Sequence, residues 1–327
     1  MLLLTYGTRP EYIKIKPLVD ELRGKIPFKV LFTGQHLDIA PKDADYQLKI
    51  NEEGHRLDSI ISSMLNQNHV WEGITHVLIQ GDTTSALAIA IAGMNRGVKI
   101  IHLEAGLRTF DYENPFPEEY NRQLISRIAS INLCPTEVNY NNLLEEKCVG
   151  EKYTVGNTVL DNLKGIDVSY NNKVLVTMHR RENHELLDVW FTELNKLAKE
   201  NPELEFVIPL HPNPNVQKHK HILTNFSIID PLPYQEMIDM ISTCRFIISD
   251  SGGIQEEASF LKKKVIVCRK VTERLETVGK TSFMCRFPSE LQDLFKQIKD
   301  DYISNYDCPY GDGNASNKIY EILKKKI

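Results

Sequence analysis

The chain has 327 residues, 42% hydrophobic and 25% charged, with 39 Lys and Arg against 44 Asp and Glu for a net charge of −5. That length holds two ordinary α/β domains or one large one, and that balance predicts a water-soluble globular protein. The mild acidity argues against general nucleic-acid binding, and the longest apolar run, residues 86–92, is too short to span a bilayer.

The apolar start, Met1 to Tyr6, lacks a basic leader and is interrupted early by Gly7, so it reads as a buried first strand rather than an export signal. Further strands are predicted at residues 28–32, 76–79 and 100–103, with helices over 11–23, 83–96 and 118–129 between them. A strand at 152–155 and a helix start at 158–163 follow, and the polar stretch 167–173 is the best linker. The pattern then restarts. Strands are predicted at 174–177, 206–209, 245–249 and 265–268, and helices over 186–200, 234–243 and 254–261. This alternation argues for two parallel sheets, each covered on both faces, in domains 1–166 and 167–313. Cys134, Cys148, Cys244, Cys268, Cys285 and Cys308 are scattered, without a CxxC pair or metal-ligand spacing, which predicts free and mostly buried thiols in a reducing compartment.

A parallel sheet binds ligands outside the carboxyl ends of its strands, so the loops there carry the functional question. In the first half, strand one runs into Gly7-Thr8-Arg9-Pro10-Glu11 and a helix bearing Lys14, where a helix start favours an anion. The third strand leads into Gln80-Gly81-Asp82-Thr83, in which Asp82 is either a helix cap or a site residue. The fourth leads into Glu104-Ala105-Gly106-Leu107-Arg108, a carboxylate directly after a buried strand. Glu118 and Arg122 lie four apart on one helix face, which suits a structural ion pair as well as a site.

In the second half, one strand ends in Met178-His179-Arg180-Arg181 and another in Leu210-His211-Pro212-Asn213-Pro214, where two prolines stiffen the turn at His211. The most informative segment is Asp250-Ser251-Gly252-Gly253-Ile254-Gln255-Glu256-Glu257. A strand ends, two glycines remove bulk, and a helix begins with free N–H groups, which cradles phosphate with Ser251 adding a donor. Glu257, one turn further in, is placed to accept ribose hydroxyls. No GK[ST] follows and no G-x-G-x-x-G is present, so the segment is neither a Walker loop nor a dinucleotide fingerprint.

At these residues, and at His102-Leu103-Glu104-Ala105-Gly106-Leu107-Arg108-Thr109, Thr272-Glu273-Arg274 and Pro309-Tyr310-Gly311-Asp312-Gly313, the chain resembles the non-hydrolysing UDP-N-acetylglucosamine 2-epimerases. The resemblance implies an α/β fold of two Rossmann-like domains facing across a cleft, of the GT-B, glycogen-phosphorylase-like kind, with a C-terminal helix at 314–327 packing back on the first domain. It implies an isomerase of the cytoplasm, typically a homodimer, acting on UDP-N-acetylglucosamine without cofactor, metal, nucleic acid or membrane. Asp82, Glu104 and Glu118 match the family's acid–base carboxylates, and His211 lies near the β-phosphate. Arg9, Lys14 and Arg122 serve the sugar side, while Ser251, Gly252, Gly253, Glu257 and Arg274 serve the nucleotide side. Many members also bind a second UDP-N-acetylglucosamine as activator, at positions matching Gln35, His36 and Arg181.

Some positions depart from the family. The segment 36–58 is short, Leu275 stands where proline is common, and Cys308 where asparagine is. The shortened segment bears on activator binding; the chemistry residues are present. A hydrolysing 2-epimerase would carry a His-Gly-Gly-Glu-like segment where this chain has His102-Leu103-Glu104-Ala105-Gly106. A relative acting on a UDP-diacetamido-glucuronic acid shares the legible motifs. A GT-B glycosyltransferase leaves the first-half carboxylates unexplained, and they count against a silent nucleotide-sugar sensor.

Overall fold

The computed structural model describes residues 1–36, 43–51 and 53–327, so the short segment at 36–58 lies partly outside the described residues. The chain forms two units, Met1–Asn162 with Tyr310–Ile327, and Leu163–Pro309.

Unit 1 runs β1 (Leu2–Tyr6), α1 (Arg9–Leu22), β2 (Phe28–Phe32), β3 (Tyr46–Gln47), α2 (Arg56–Leu65), β4 (His76–Gln80), α3 (Thr84–Asn95), β5 (Lys99–Leu103), α4 (Glu118–Ile128), β6 (Ile131–Cys134), α5 (Glu137–Glu145) and β7 (Glu151–Thr154). The strands are all parallel, in the order β3-β2-β1-β4-β5-β6-β7. Successive side chains alternate between faces. Leu3, Leu31, Val77 and Ile100 enter one core with residues of α2, α3 and α4, whereas Leu2, Leu4, Val30 and Leu78 enter another with Ile15, Leu18 and Leu22 of α1. Burial on both faces is why these strands are mostly apolar rather than alternating, with polar residues such as Lys29 of β2 and Lys99 of β5 near their starts. Helix α3 is buried from Thr84 through Ala90 and packs between α2 and α4, which accounts for its nearly all-apolar sequence.

Unit 2 runs β8 (Lys173–Thr177), α6 (Leu187–Glu200), β9 (Glu205–Pro209), the short α7 (Pro214–Gln217), β10 (Ser227–Ile229), α8 (Tyr234–Thr243), β11 (Phe246–Ser249), α9 (Gly252–Phe260), β12 (Val265–Val267), β13 (Ser282–Met284) and α10 (Leu291–Lys299). Its strands are again parallel, in the order β10-β9-β8-β11-β12-β13. Trp190, Phe191 and Leu194 of α6 and Phe295 of α10 form a core with Val174, Phe206 and Phe246. The chain returns to unit 1 as α11 (Ala315–Leu323), whose Ile319 and Leu323 join the core of α1. Among the described residues no helix is long and apolar enough to cross a membrane.

In each sheet the strand order reverses once, between β1 and β4 and between β8 and β11. Loops leaving the carboxyl ends of such neighbours part to opposite faces and leave room for a ligand.

The polar stretch expected to act as a linker is docked on unit 2. The amides of Ser169 and Asn171 donate to the carbonyls of Ser242 and Thr243 at 3.0 and 2.9 Å. The ammonium of Lys263 lies 3.6 Å from the Tyr170 ring centroid and donates to the carbonyls of Ser169 and Cys244. Burial pushes this lysine down from 10.5 to about 8. Between those values the unfolded chain holds a proton that the folded chain has released, so stability rises with pH across the window. The unfolding free energy of the parent minus that of Lys263→Met should therefore increase between pH 8 and 10.5 in urea titrations. A pH-independent difference would contradict the assignment.

Candidate active site

Three loops of unit 1 meet at the carboxyl ends of β1, β4 and β5. The first is set by Glu11, whose Oε2 accepts the amides of Gly7 and Thr8 at 2.7 and 2.6 Å while Oε1 accepts the Thr83 hydroxyl at 2.6 Å. Burial raises the pKa of this carboxyl, and the donors oppose the rise. Glu11 thereby ties the turn after β1 to the loop after β4. Gly7 has no substitute there, because a Cβ would lie 2.2 Å from Thr33 Oγ1 and 2.5 Å from Ser85 Oγ. Arg9 opens α1 and is exposed. Gln35 Oε1 accepts the Ser85 amide at 3.1 Å, and the His36 amide donates to the Gly7 carbonyl at 2.9 Å, so both border the same turn.

Strand β5 delivers Glu104, which has φ +67, a left-handed conformation costing a non-glycine residue roughly 1–2 kcal/mol. Its surroundings hold it there. Oε1 accepts Lys14 Nζ at 2.5 Å and Asn157 Nδ2 at 3.3 Å, and Oε2 accepts the Gln80 amide. Beneath, His102 is fully buried, with Nε2 2.7 Å from the Gly81 carbonyl. Burial pushes His102 down to about 4, so its ring is neutral and donates from Nε2. That bond joins the β5 end to the loop carrying Asp82.

Asp82 is half-buried, and its Oδ2 accepts Nε of Arg122 at 3.1 Å together with Nη2. Oδ1 accepts no hydrogen bond among the described residues. Arg122, 3% exposed, also donates through Nη1 to Glu119 at 3.1 Å. Glu118 opens α4, half-buried. The two acids Asp82 and Glu104 thus sit at neighbouring strand ends under different restraint: one keeps an open oxygen, the other has both engaged.

In unit 2, α9 begins at Gly252 after the N-cap Ser251, with no side-chain cap and no acidic residue in its first turn. Its leading N–H groups and positive dipole end therefore suit an anion. Ser251 donates its own amide to Ser249 Oγ at 2.9 Å. Below Gly252 lies Arg274, buried and paired with Glu256 at 2.9 Å and with Glu273. Glu257 is buried one turn along α9. Arg181 is exposed in the loop after β8.

His211 stacks on His179 with centroids 5.2 Å apart and planes 12° from parallel. Its Nδ1 accepts the Asn213 amide at 3.2 Å, which leaves the proton on Nε2. Desolvation and the neighbouring His179 lower its pKa, so the ring is a neutral donor. Asp250, fully buried, accepts the amides of His179 and Arg180, each at 2.8 Å, and fixes this loop against α9. A pocket of about 190 Å³ adjoins these groups, lined among others by Met178, His179, Pro209, His211, Met237 and Ile254. Among the described residues no group of three or more His, Cys, Asp or Glu is placed to hold a metal ion.

Sequence reasoning singled out neither Glu11, Gln80, Glu119, Asn157, His179 nor Asp250. Gln80, His179 and Asp250 stand beside chosen residues at strand ends, a usable signal. Asn157 reaches Glu104 from 53 positions away, and nothing local marks it.

A profile described as UDP-N-acetylglucosamine 2-epimerase matches residues 21–324. The UDP-N-acetylglucosamine 2-epimerase of Campylobacter jejuni is 39% identical, over 99% of this chain and 97% of that protein. The crystal structure of the Neisseria meningitidis UDP-GlcNAc 2-epimerase bound to UDP-GlcNAc matches with a TM-score of 0.89 at 36% identity, covering 99% of each chain. Acinetobacter baumannii MurG, 10% identical with a TM-score of 0.64 over 99% of both chains, shares the fold alone. The two Rossmann-like parallel-sheet units are those of the GT-B class. With a profile match over most of its length and relatives of this identity, the chain belongs to the UDP-N-acetylglucosamine 2-epimerase family.

Proposed function

We propose that the chain interconverts UDP-N-acetylglucosamine and UDP-N-acetylmannosamine without net hydrolysis. The observation that carries the reading is the pair of differently restrained acids at the ends of β4 and β5, Asp82 with an open oxygen and Glu104 held on both. Carbon 2 of the sugar is not next to a carbonyl, so its proton is barely acidic. As the C1–O bond to UDP breaks, its electron pair leaves on the β-phosphate oxygen and C1 becomes electron-poor. The C2 proton then passes to a carboxylate, and the C–H pair forms the C1=C2 bond of a glycal. Re-addition of UDP at C1, with a proton delivered to C2 from the other face, gives the inverted sugar. Two acids on different loops suit a proton taken from one face and returned to the other.

In this reading unit 2 binds the nucleotide and unit 1 acts on the sugar. The first turn of α9 at Ser251, Gly252 and Gly253 receives the diphosphate, His211 donates to it from Nε2, and each well-aimed donor contributes about 3 kcal/mol as charge builds. Glu257 takes the ribose, and Arg274 braces Gly252. Arg9 and Lys14 serve the sugar side, with Asp82, Glu104 and Glu118 as the acid–base set and Arg122 beside them. Gln35, His36 and Arg181 are the positions for an activating second nucleotide sugar. The domain assignment follows the same division, with the C-terminal helix returning to the first.

A homodimer in the cytoplasm belongs to the same proposal. It rests on the family and on the five buried free thiols Cys134, Cys148, Cys244, Cys268 and Cys285, and light scattering at twice the 37.6 kDa chain mass tests the dimer.

The reaction is tested by incubating the protein with UDP-N-acetylglucosamine in D2O and following it by NMR. UDP-N-acetylmannosamine carrying deuterium at C2 is the expected product. Free N-acetylmannosamine with UDP as the main product would show a hydrolase instead, and turnover only on adding an acceptor would show a transferase.

A further inference from the structure

We propose that Glu119 is a positioning residue that orients Asp82 through Arg122; the inference rests on the assignment of Asp82 to proton transfer. Glu119 is 0% exposed and so cannot touch the substrate. Its carboxylate nevertheless collects donors from two directions. Oε2 accepts the amide and hydroxyl of Thr109 at 3.0 and 3.1 Å and Arg122 Nη1 at 3.1 Å. Oε1 accepts Gln123 Nε2 at 2.9 Å and, more weakly, the Phe110 amide at 3.4 Å. The loop after β5 and the helix α4 thus fix Glu119, and Glu119 fixes the guanidinium.

The remaining edge of Arg122 points at Asp82, donating from both Nε and Nη2 to the single oxygen Oδ2. Asn121, the next residue back on α4, donates Nδ2 to the Asp82 carbonyl at 2.8 Å. Asp82 is therefore gripped from α4 at both backbone and side chain, which leaves Oδ1 aimed by a buried anion it never meets. A side chain serving only to satisfy Thr109 and Phe110 would need neither a negative charge nor the arginine that holds Asp82. Because Arg122 is itself buried, the charge at position 119 determines how that arginine is shared between the two acids.

In Glu119→Gln the shape is kept and the anion is lost, so Arg122 turns and Asp82 shifts. A displacement of about 1 Å at a reacting group costs about 100-fold in rate. The expected result is kcat for C2 inversion lowered about 100-fold, with KM and UDP affinity within about threefold of the parent. Thr109→Val removes one hydroxyl donor but leaves the Arg122 arm, and should keep kcat within about threefold. An unchanged kcat in Glu119→Gln, or an equal loss in Thr109→Val, overturns the proposal. If Glu119→Gln does not fold, Arg122→Lys decides, since an ammonium cannot span both acids. Lost kcat with KM retained supports the relay, and an unchanged kcat overturns it. The parent's own turnover tests the assigned reaction separately. Should the parent be inactive, a crystal structure of Glu119→Gln still decides, because the proposal requires the guanidinium to leave Asp82 Oδ2 and an unmoved pair refutes it.

Discussion

Replacing Glu104 by Gln is expected to lower deuterium incorporation at carbon 2 by about a thousandfold and to leave UDP binding within about threefold of the parent. The exchange keeps the side chain's size, so the left-handed backbone at φ +67 is not disturbed by bulk. What changes is the charge and the acceptor count. Lys14 at 2.5 Å loses a carboxylate partner, and one of the two oxygens becomes a donor amide that cannot take up a proton at neutral pH. Because the α9 cradle, His211 and the adjoining pocket belong to unit 2, the nucleotide should still bind, as calorimetry with UDP would show. Undiminished exchange would remove Glu104 from the reaction. Lost exchange together with lost UDP affinity would place Glu104 in nucleotide binding instead.

The second large effect separates ligand binding from folding. Gly253→Ala should fold at least as well as the parent while binding UDP at least about tenfold more weakly, a loss of about 1.4 kcal/mol. A Cβ built at Gly253 has no neighbour within 4 Å, so the protein accepts it without strain, and alanine is the better helix former. Any loss of affinity must then come from what approaches the first turn of α9 from outside. Gly252 supplies the contrast. A Cβ there would lie 3.0 Å from Arg274 Nη1 and 3.3 Å from Glu273 Oε1, within a buried ion cluster, so Gly252→Ala should lower both Tm and affinity. Thermal melts with and without UDP distinguish the two glycines. If Gly253→Ala bound UDP normally, the diphosphate would have to sit elsewhere.

Much of the fold was legible because the central strands of each sheet are buried on two faces. The runs at 2–6 and 28–32 coincide with β1 and β2, and helix α8 coincides with the expected 234–243. Where burial is one-sided or the apolar run is broken, the signal failed. β6 contains Asn132, and β3, β10 and β13 have only two or three residues each, so none of these was anticipated. The polar stretch at 167–173 looked like a tether because its side chains are hydrophilic. Its backbone, however, bonds to the end of α8, and Lys263 stacks on its tyrosine.

The site shows the same division. Sequence alone determined which residues stand at the strand ends, because a chain leaving a buried strand must turn there, and Gly, Asp, Glu and His at such turns need a reason beyond packing. It also determined the uncapped glycine start of α9. Only the tertiary structure decided the partners. Spacing placed Arg122 on the helix face of Glu118; the packed α4 adds that its guanidinium meets Glu119 and an aspartate 40 positions away. Lys14 meets Glu104 across 90 positions. Helix spacing sets which side chains share a face. Which ions pair depends on how the sheet order brings separate loops together, and on how strongly burial favours a charge with a partner over one without.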